Sequence, residues 1–498
     1  MQKLKNIRFI YNFLYYIYNV MENDLSKFDF DIVIVGAGIA GCSAAASAVE
    51  QSKKANLRLR ILIVERADKN NWGGNSRWTG ALFRMLDEET LYPKIEEEFL
   101  SYSEGKMNKA LIETFLENAI DSVKWLKSKG VEFEKPQTHY IAQKGSYIRP
   151  RGGGLSAILA LMNYAMSLGV QVVYETTAFK LSIDEKGRID GIWVRDKSGV
   201  GCIKAPVVIL ASGGFEGNEE LLCRYLGPNA LRLKMYSPGE KYNKGEGIKM
   251  VEEIGGKLSG DFCYIHGGPA DPRSNTVMPL VDIFPYGIIV NKLGQRFVDE
   301  GIDFVDDAAN IIALNILKQP DNIAYLILDS KFKSIPNYER AILTDKPPIE
   351  ANSIDELAKL LGIPLNSLLK TINDFNNAVQ EGEFNPFIKD GKCTKGIDPP
   401  KSNWALRIDK PPFYAYPLTC ALSHTVAGVA INNKAQVLSN DDIPIEGLYA
   451  AGEIVGFDYF KYVPGTSFFR GLVFGRIAGK EAVEYLIKRF KLIKNKQI

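Results

Sequence analysis

The chain has 498 residues, of which 46% are hydrophobic and 24% charged, an ordinary globular composition that suffices for more than one domain. Lys and Arg total 61 against 59 Asp and Glu, so the overall charge gives no reason to expect a nucleic-acid partner. The six cysteines include no C-x-x-C pair and the three histidines lack metal-ligand spacing. We therefore expect neither a metal site nor a disulfide framework.

The first 27 residues are predicted to form a flexible leader. Basic residues precede the apolar run FIYNFLYYIYNV, which matches the hydrophobic region of a signal peptide in length. Two asparagines interrupt the run, and a bilayer span needs about 20 apolar residues. We expect a cytoplasmic protein with no transmembrane segment; export by this run, or a start at Met21, is the alternative.

The next segment predicts a dinucleotide-binding turn. In DIVIVGAGIAGCSAAASAVE, a short apolar strand runs into a glycine-rich turn and a helix of small residues. Gly36 permits the tight turn, Gly38 lets the backbone approach a pyrophosphate, and Gly41 lets the helix pack closely on the sheet. A second apolar strand ends at Glu65, near the spacing expected of a carboxylate that binds the ribose hydroxyls. The alternative is a glycine loop in an unrelated α/β protein.

Further elements of an α/β domain follow in order. Apolar residues at helical spacing across 107–129 predict a helix that stops at Gly130. Residues 169–215 alternate apolar and polar positions in three runs and close on VVIL, which is followed by Gly213 and Gly214. This pattern predicts a three-stranded meander that returns to the parent sheet.

Residues 263–423 change character, with many prolines and aromatics and a helix pair that starts at the capping box Ser353-x-x-Glu356. The chain then returns through IEGLYAAGEI to a final helix in which Gly479 permits close packing. We predict a discontinuous Rossmann-like α/β domain (28–262 and 424–490) with an inserted α+β capping domain (263–423). The basic tail at 491–498 is interpreted as a frayed helix end.

Several ordered motifs resemble those of the fumarate reductase and succinate dehydrogenase flavoprotein family, which includes the 3-ketosteroid dehydrogenases. They are GAGIAG, GGNSRWTGA, RPRGGG, ILASGGF, GIIVNKLGQRFVDE, SHTVAGVAIN, GLYAAGE and FGRIAG. Within the family, GGNSRWTGALFR, IFPYGIIVN and VDEGIDF are most similar to tricarballylate dehydrogenases. The resemblance implies a cap over FAD and hydride transfer between flavin N5 and a substrate carbon beside a carboxylate or carbonyl. It also implies a quinone or an iron–sulfur protein as electron partner.

The resemblance places FAD on residues of these motifs. They are Gly36, Gly38, Ala40, Gly41, Glu65, Arg66, Gly74, Asn75, Ser76, Gly80, Ala178, Ala211, Gly213, Gly214, Glu453, Ser467 and Phe468. Glu453 is implied at the ribityl chain, and the backbone amides of Ser467 and Phe468 at the flavin pyrimidine edge. A helix-capping role is the alternative for Ser76 and Ser467. GGNSRWTG has no histidine where membrane-bound relatives attach the flavin, so we expect noncovalent FAD.

The implied substrate site departs from the fumarate reductase pattern. His266 and His424 match family histidines that bind a substrate carboxylate or carbonyl oxygen, with core packing as the alternative. Both family arginines, the proton donor and the carboxylate clamp, are missing from VDEGIDFVDDAAN and FKYVPGTSF. Tyr462 falls at the clamp position, or Lys461 if the alignment shifts by one residue. Tyr462 or a cap residue is the predicted base, and the two histidines stabilise enolate-like charge.

Five further residues have two interpretations each. Arg149 matches a family arginine and either forms a structural ion pair or contacts the substrate. Tyr286, Asp282, Asp303 and Tyr414 are acid or base candidates on cap segments, with ordinary loop roles as the alternative.

The sequence thus predicts an FAD-dependent dehydrogenase of a tricarballylate-like substrate. The alternatives are an enoate reductase similar to fumarate reductases and a flavin-binding protein without redox turnover. The substrate, the direction of the reaction, the electron partner and the oligomeric state stay open at this stage.

Overall fold

The computed structural model describes residues 25–491, so nearly all of the predicted leader and tail lie outside the described residues. The described residues form ten α-helices: α1 Ile39–Lys54, α2 Ile95–Tyr102, α3 Lys109–Lys127, α4 Gly153–Ser167, α5 Glu219–Leu226, α6 Glu246–Glu253, α7 Val305–Leu317, α8 Ile354–Leu361, α9 Leu365–Ala378 and α10 Ser467–Phe490.

The same residues form 21 strands: β1 Ile32–Val35, β2 Ile61–Val64, β3 Met85–Asp87, β4 Thr90–Leu91, β5 Phe133–Glu134, β6 Arg149–Pro150, β7 Gln171–Val173, β8 Thr177–Ile183, β9 Ile189–Asp196, β10 Gly199–Lys204, β11 Val208–Leu210, β12 Lys234–Met235, β13 Leu258–Ser259, β14 Ile265–Ala270, β15 Ile288–Asn291, β16 Ala324–Asp329, β17 Ile349–Ala351, β18 Phe413–Thr425, β19 Gly428–Val429, β20 Gln436–Leu438 and β21 Pro444–Ala450.

The central sheet has the strand order β20-β21-β11-β1-β2-β7 and is parallel except at β20. β1 and β2 are buried along their whole length, as expected of apolar strands covered on both faces. β21 comes from the last part of the chain, so the sheet is assembled from two separated segments. The predicted Rossmann-like α/β fold is confirmed.

The remaining elements around this sheet also match the predicted pattern. β8, β9 and β10 form the antiparallel meander that leads back to the sheet through β11. The helix predicted at 107–129 is α3, whose first turn is capped by the Asn108 side chain, which accepts from the Ala110 amide at 3.0 Å. Gly130 follows the helix with φ +87°, a left-handed conformation that glycine adopts without strain.

The cap is built on a second sheet in which β18 pairs with β12, β14, β16 and β17. Alternate residues of β16 face two different cores: Leu326 and Leu328 pack with α7, and Ile327 packs with α8 and α9. The cap sheet is therefore covered on both faces. The predicted helix pair is α8 and α9, and Ser353 Oγ accepts from the Glu356 amide at 3.1 Å.

β18 connects the two parts of the molecule. Tyr414, Tyr416 and Leu418 at its beginning pack in the cap core, whereas Cys420 and Leu422 near its end join the core of the Rossmann-like domain. The strand passes from one core to the other before it reaches the predicted substrate residue His424. The fold thus carries cap and cofactor-domain residues into one region.

The last helix, α10, packs directly against α1. An added Cβ at Gly475 would lie 2.4 Å from Ala40 O, and one at Gly479 would lie 2.1 Å from Ala44 O. The predicted close approach at Gly479 is confirmed. Over residues 25–491 no helix is long and apolar enough to cross a membrane. The same span contains no cluster of three or more His, Cys, Asp or Glu side chains suited to a metal.

Candidate active site

The site is a cavity of about 590 Å³ between the Rossmann-like sheet and the cap. Its wall includes Val35, Val64 and Ala211, which lie at or beside the carboxyl ends of β1, β2 and β11. This edge of a parallel sheet is where such folds bind ligands. The opposite end of the cavity reaches the cap residues Asp282 and Leu343.

The turn between β1 and α1 forms one wall. Gly36 has φ +97°, and a Cβ there would lie 2.4 Å from Ala211 O, so glycine is required. Gly38 and Ala40 also line the cavity at the amino terminus of α1. Ser76 Oγ accepts from the Ile39 amide at 3.0 Å, so Ser76 both caps α1 and lines the cavity.

Glu65 stands beside this turn, where the spacing predicted it. Its Oε2 accepts from the Ala37 amide at 2.9 Å and its Oε1 from the Ala67 amide at 2.8 Å. Burial raises the pKa of Glu65. A carboxylate oxygen has two acceptor positions, so both oxygens retain room for a hydroxyl donor. Arg66, the next residue, pairs with Glu246.

Most of the predicted cofactor residues meet at this cavity. Those that line it are Gly36, Gly38, Ala40, Glu65, Arg66, Gly74, Asn75, Ser76, Gly80, Ala178, Ala211, Gly213, Glu453, Ser467 and Phe468.

Gly41 and Gly214, also predicted to bind the cofactor, are absent from this lining. A Cβ on Gly41 would lie 2.0 Å from Gly36 O, and one on Gly214 would lie 1.9 Å from Thr425 Oγ1. Both glycines therefore serve the close packing of the turns. Neither faces the ligand space.

A group of buried carboxyl groups surrounds Glu453, and sequence reasoning missed two of its members. Glu453 Oε1 accepts from the Thr425 amide at 3.0 Å, while Asn75 Nδ2 donates to Glu216 Oε1 at 2.8 Å. Burial and the charge of Glu216 raise the pKa of Glu453 well above its usual range. The pKa of Glu240 is raised to about 10 by burial and by Glu216. Glu216 directly follows the predicted ILASGGF turn, which was the available signal.

This end of the cavity fits an extended dinucleotide. Glycine turns allow the backbone to approach without side chains, the amino terminus of α1 suits an anion, and Glu65 is placed for ribose hydroxyls. A side chain at Gly38 would intrude on this space, since its Cβ would already lie 3.2 Å from Ser76 Oγ.

At the other end, three ring side chains converge. His266 and His424 are opposite each other on β14 and β18, with ring centroids 4.8 Å apart. The Tyr462 ring lies 4.4 Å from that of His266 and 4.9 Å from that of His424. All three residues line the cavity, and His266 Nδ1 and His424 Nε2 are buried without a hydrogen-bond partner within residues 25–491. These ring nitrogens are available to a ligand.

Both histidines are held neutral. Burial lowers the pKa of His266 to about 4. The pKa of His424 is lowered well below its usual value by burial, and further by the neighbouring His266 and Arg470. Each ring therefore offers one neutral N–H donor near pH 7, without a positive charge.

Tyr462 is fixed at the amino terminus of α10. Its hydroxyl oxygen accepts from the Thr466 amide at 3.1 Å and from the Ser467 amide at 2.9 Å. The Ser467 amide predicted at the flavin edge thus has a partner in the protein. Burial raises the pKa of Tyr462, so the phenol stays protonated near neutral pH. The predicted role as a base requires a lowered pKa, whereas the folded chain shifts the pKa of Tyr462 in the opposite direction, so that role stays a prediction.

Lys461, the alternative to Tyr462, lies elsewhere. Its Nζ is 3.6 Å from Asp307 Oδ1 and 4.0 Å from the Tyr102 ring centroid, and the residue is absent from the cavity lining. Of the two alternatives, Tyr462 is therefore the one that faces the cavity.

Of the other five candidates, Arg149 lines the cavity, with its Nε 2.8 Å from Glu134 Oε1. Tyr286 donates to Pro386 O, Tyr414 accepts from Lys333, and Asp303 pairs with Lys389, all in the loop or packing roles given as alternatives.

Asp282 is the cap candidate that reaches the cavity. Its side chain is 1% exposed, and Oδ2 lies 3.1 Å from His139 Nε2. Neither carboxylate oxygen has a well-oriented hydrogen bond within the described residues. Sequence reasoning gave Asp282 no partner, and nothing in the chain order connects it to His139.

Comparison with known proteins identifies the family. The model of the FAD binding domain family matches residues 31–468. The chain belongs to this family. It is 30% identical to a fumarate reductase (cytochrome) of Shewanella frigidimarina over 91% of this chain and 77% of that protein. It is 25% identical to a vinyl phenol reductase of Lactiplantibacillus plantarum over 93% and 98% of the two chains.

The structures agree with this assignment. A flavocytochrome c3 fumarate reductase in an open conformation superposes with a TM-score of 0.71 at 26% identity, covering 92% of this chain and 78% of that chain. The predicted membership of the fumarate reductase and succinate dehydrogenase flavoprotein family is confirmed. FAD is the cofactor, and this flavoprotein is an oxidoreductase of the fumarate or enoate reductase type that acts at a carbon–carbon bond.

Proposed function

We propose that this flavoprotein reduces a carbon–carbon double bond conjugated to a carbonyl, and that His266, His424 and Tyr462 bind the carbonyl oxygen. The observation that carries the proposal is the convergence of three neutral ring side chains, each with one N–H or O–H group, at one end of the cavity. Such donors stabilise the negative charge that develops on a carbonyl oxygen when hydride reaches the β carbon.

FAD, when reduced and bound, supplies that hydride. The chain's own residues bind the substrate oxygen, hold the double bond in place and deliver the proton that completes the reduction. Burial of the two histidines and Tyr462 excludes water, which strengthens each hydrogen bond to the oxygen.

Tyr462 is the proposed proton donor. Two backbone amides already donate to its oxygen, which leaves its own O–H free to donate. Once the proton has moved to the substrate, those amides and the amino terminus of α10 stabilise the phenolate, and Arg470 adds a favourable charge. A protonated phenol suits the reductive direction, in which an acid is needed.

The other predictions bear on this proposal as follows. Dehydrogenation of tricarballylate stays a prediction, and the two neutral histidines give three carboxylates no countercharge. Noncovalent FAD, a quinone or iron–sulfur partner and a cytoplasmic location also stay predictions. A flavin-binding protein without redox turnover would leave the acid at Tyr462 unused.

The test uses FAD-loaded protein, reduced and kept anaerobic, mixed with para-hydroxybenzalacetone, a conjugated ketone. We expect the oxidised flavin spectrum to return while one equivalent of the saturated ketone forms. Tyr462→Phe removes the acid and is expected to slow this step about 100-fold, with the ketone Kd changed only a few-fold.

Tyr286→Phe is the matched control, because Tyr286 is a cap phenol that donates to Pro386 O and does not line the cavity. An equal loss of rate in both variants would remove Tyr462 from the mechanism. A reduced flavin that no conjugated carbonyl or unsaturated acid reoxidises would overturn the reductase assignment. Product without a change in flavin colour would establish redox-neutral chemistry instead.

A further inference from the structure

The cavity lining that residues 25–491 form has no unpaired cationic side chain. Arg470 lies outside the lining, 6.0 Å from the Tyr462 ring centroid, and pairs with Asp458. Among the lining residues, the permanently cationic ones are Arg66 and Arg149. Arg66 pairs with Glu246, and Arg149 Nε lies 2.8 Å from Glu134 Oε1. A carboxylate substrate would therefore lose its hydration and gain no unpaired countercharge, an unfavourable exchange.

The cavity lining also includes a buried carboxyl group, Asp282. Its side chain is 1% exposed, and both oxygens lack a well-oriented donor within residues 25–491. A buried carboxylate without hydrogen bonds is costly, so a site that keeps one is built to receive a donor. His139 Nε2 lies 3.1 Å from Oδ2 and holds one side of the carboxylate.

Two phenols, Tyr140 and Tyr236, and a group of apolar side chains that packs with Tyr236 line the same cavity as Asp282 and the His266–His424–Tyr462 group. The Tyr140 ring centroid lies 4.1 Å from that of His139, the residue that contacts Asp282, and burial raises the pKa of Tyr140 well above its usual range. The pKa of Tyr236 is likewise raised by burial and by Asp282. Met278, Leu280 and Leu343 complete this part of the lining, which suits a flat apolar body between two polar ends.

We infer that the substrate is an uncharged conjugated carbonyl compound with a hydroxyl group at its far end, and that this hydroxyl donates to Asp282. This inference rests on the proposed function, which supplies the carbonyl at the other end. Asp282 then has two effects on specificity. The carboxylate disfavours dicarboxylates and other anions, and its Oδ1, which faces no donor within residues 25–491, disfavours analogues that lack the hydroxyl.

The experiment compares four oxidants of the reduced, FAD-loaded protein: para-hydroxybenzalacetone, para-methoxybenzalacetone, para-hydroxycinnamate and fumarate. The second replaces the hydroxyl donor for Asp282 with a methoxy group, which adds a methyl and cannot donate. The first and third differ in charge at the conjugated end. Reoxidation rates give reactivity. Perturbation of the oxidised flavin spectrum gives each Kd independently of turnover.

We expect the hydroxy ketone to bind about 10- to 100-fold more tightly than the methoxy ketone, the usual effect of a hydrogen bond to a charged group. Both carboxylates are expected to react at least about 100-fold more slowly than the hydroxy ketone, because a buried anion lacks a partner. Asp282→Asn is expected to reduce the ratio of the two ketone Kd values to a few-fold. It should also raise the rate of reoxidation by para-hydroxycinnamate about 10-fold.

Asp303→Asn is the matched control, since Asp303 is a cap carboxylate that pairs with Lys389 and does not line the cavity. Asp303→Asn should leave the Kd and the reoxidation rate of each of the four compounds unchanged. Equal binding of the hydroxy and methoxy ketones in the unaltered protein would overturn the role of Asp282, whether or not Asp282→Asn folds. If fumarate reoxidises the flavin fastest, the proposed substrate class is wrong but the reductase function stands. If none of the four compounds reoxidises the flavin, the proposed function itself is wrong.

Discussion

The two ends of the cavity are built on different principles. The cofactor end is made of backbone turns, in which Gly36 and Gly38 give space and Glu65 is fixed by the amides of Ala37 and Ala67. The substrate end is made of side chains from distant segments. His266, His424 and Tyr462 come from two cap-sheet strands and the turn before α10.

This difference explains which parts of the site tolerate change. Apart from the Glu65 carboxylate, the cofactor end offers a dinucleotide mainly backbone atoms, so most of its residues must only leave room for the ligand. The substrate is recognised by groups whose positions depend on the register of β14 against β18 and on the seating of α10. Substitutions at the cofactor end should therefore impair binding by crowding the ligand. Substitutions at the substrate end should act by changing the charge of a side chain or its ability to donate a proton.

The largest effect is expected from crowding the first turn. In Gly36→Val, a side chain would meet Ala211 O, where even a Cβ would lie 2.4 Å away, at a residue with φ +97°. We expect loss of bound FAD, measured as flavin absorbance per protein after purification, together with a lower melting temperature. Gly201→Ala is the control, because a Cβ there meets no atom within 4 Å. A Gly36→Val protein with full FAD content would contradict this account of the turn.

The next effect concerns the connection between the two parts of the molecule. Arg84 is fully buried, with its Nη2 2.8 Å from Glu98 Oε2 and its Nη1 3.4 Å from Asp306 Oδ2 on the cap helix α7. Arg84→Met removes the buried cation between the two carboxylates, although Glu98 keeps Lys144 and Asp306 keeps the Tyr147 hydroxyl. The substitution should lower the free energy of unfolding by about 3 kcal/mol in urea titrations.

Arg149→Met provides the comparison for Arg84. The Arg149–Glu134 pair is partly exposed, with side chains 39% and 30% accessible. Loss of this pair should lower the free energy of unfolding by about 1 kcal/mol or less. If the two substitutions lower the free energy of unfolding equally, burial is not the reason why Arg84 stabilises the protein.

The contrast between the ends also shows what the sequence could predict. The Rossmann-like turn, the meander and the capping box at Ser353 depend on neighbours along the chain, and all three were predicted. At the substrate end, motif positions located His266, His424 and Tyr462. The raised pKa of Tyr462 was not predicted, because it arises from burial that only the folded cap provides.

Other features depended on long-range contacts and gave no local signal. Asp282 and His139 are 143 positions apart in the chain, yet their side chains lie 3.1 Å apart. Arg149 lines the cavity and also pairs with Glu134, a contact that depends on the pairing of β5 with β6. Lys461 and Tyr462 are adjacent in sequence, and only the geometry of the turn shows which one faces the cavity.

A smaller effect tests the neutral state of the substrate end. The pKa of His266 is about 4 in the folded chain, below the ordinary value of about 6.5 expected after unfolding. The unfolded state therefore binds more protons between these values, and stability is lost as the pH falls through them. From pH 7 to pH 5 the contribution of His266 should fall by about 2 kcal/mol.

His266→Asn isolates this contribution, because buried carboxyl groups such as Glu240 titrate in the opposite sense over the same range. The measurement is the difference in unfolding free energy between the unaltered protein and this variant at both pH values. A difference that does not change with pH would mean that His266 is solvated or charged in the folded protein.

The smallest effect tests whether the cap can be weakened without disturbing the cofactor end. Ser353 Oγ accepts from the Glu356 amide, and Glu356 Oε2 accepts from the Asn352 amide at 2.8 Å, which secures the start of α8. Ser353→Ala removes one of these bonds at an exposed helix end and should cost about 1 kcal/mol. Neither residue lines the cavity, so FAD content and the Kd of para-hydroxybenzalacetone should stay unchanged. A loss of FAD in this variant would show that the two ends are coupled through the cap and would remove the distinction between them.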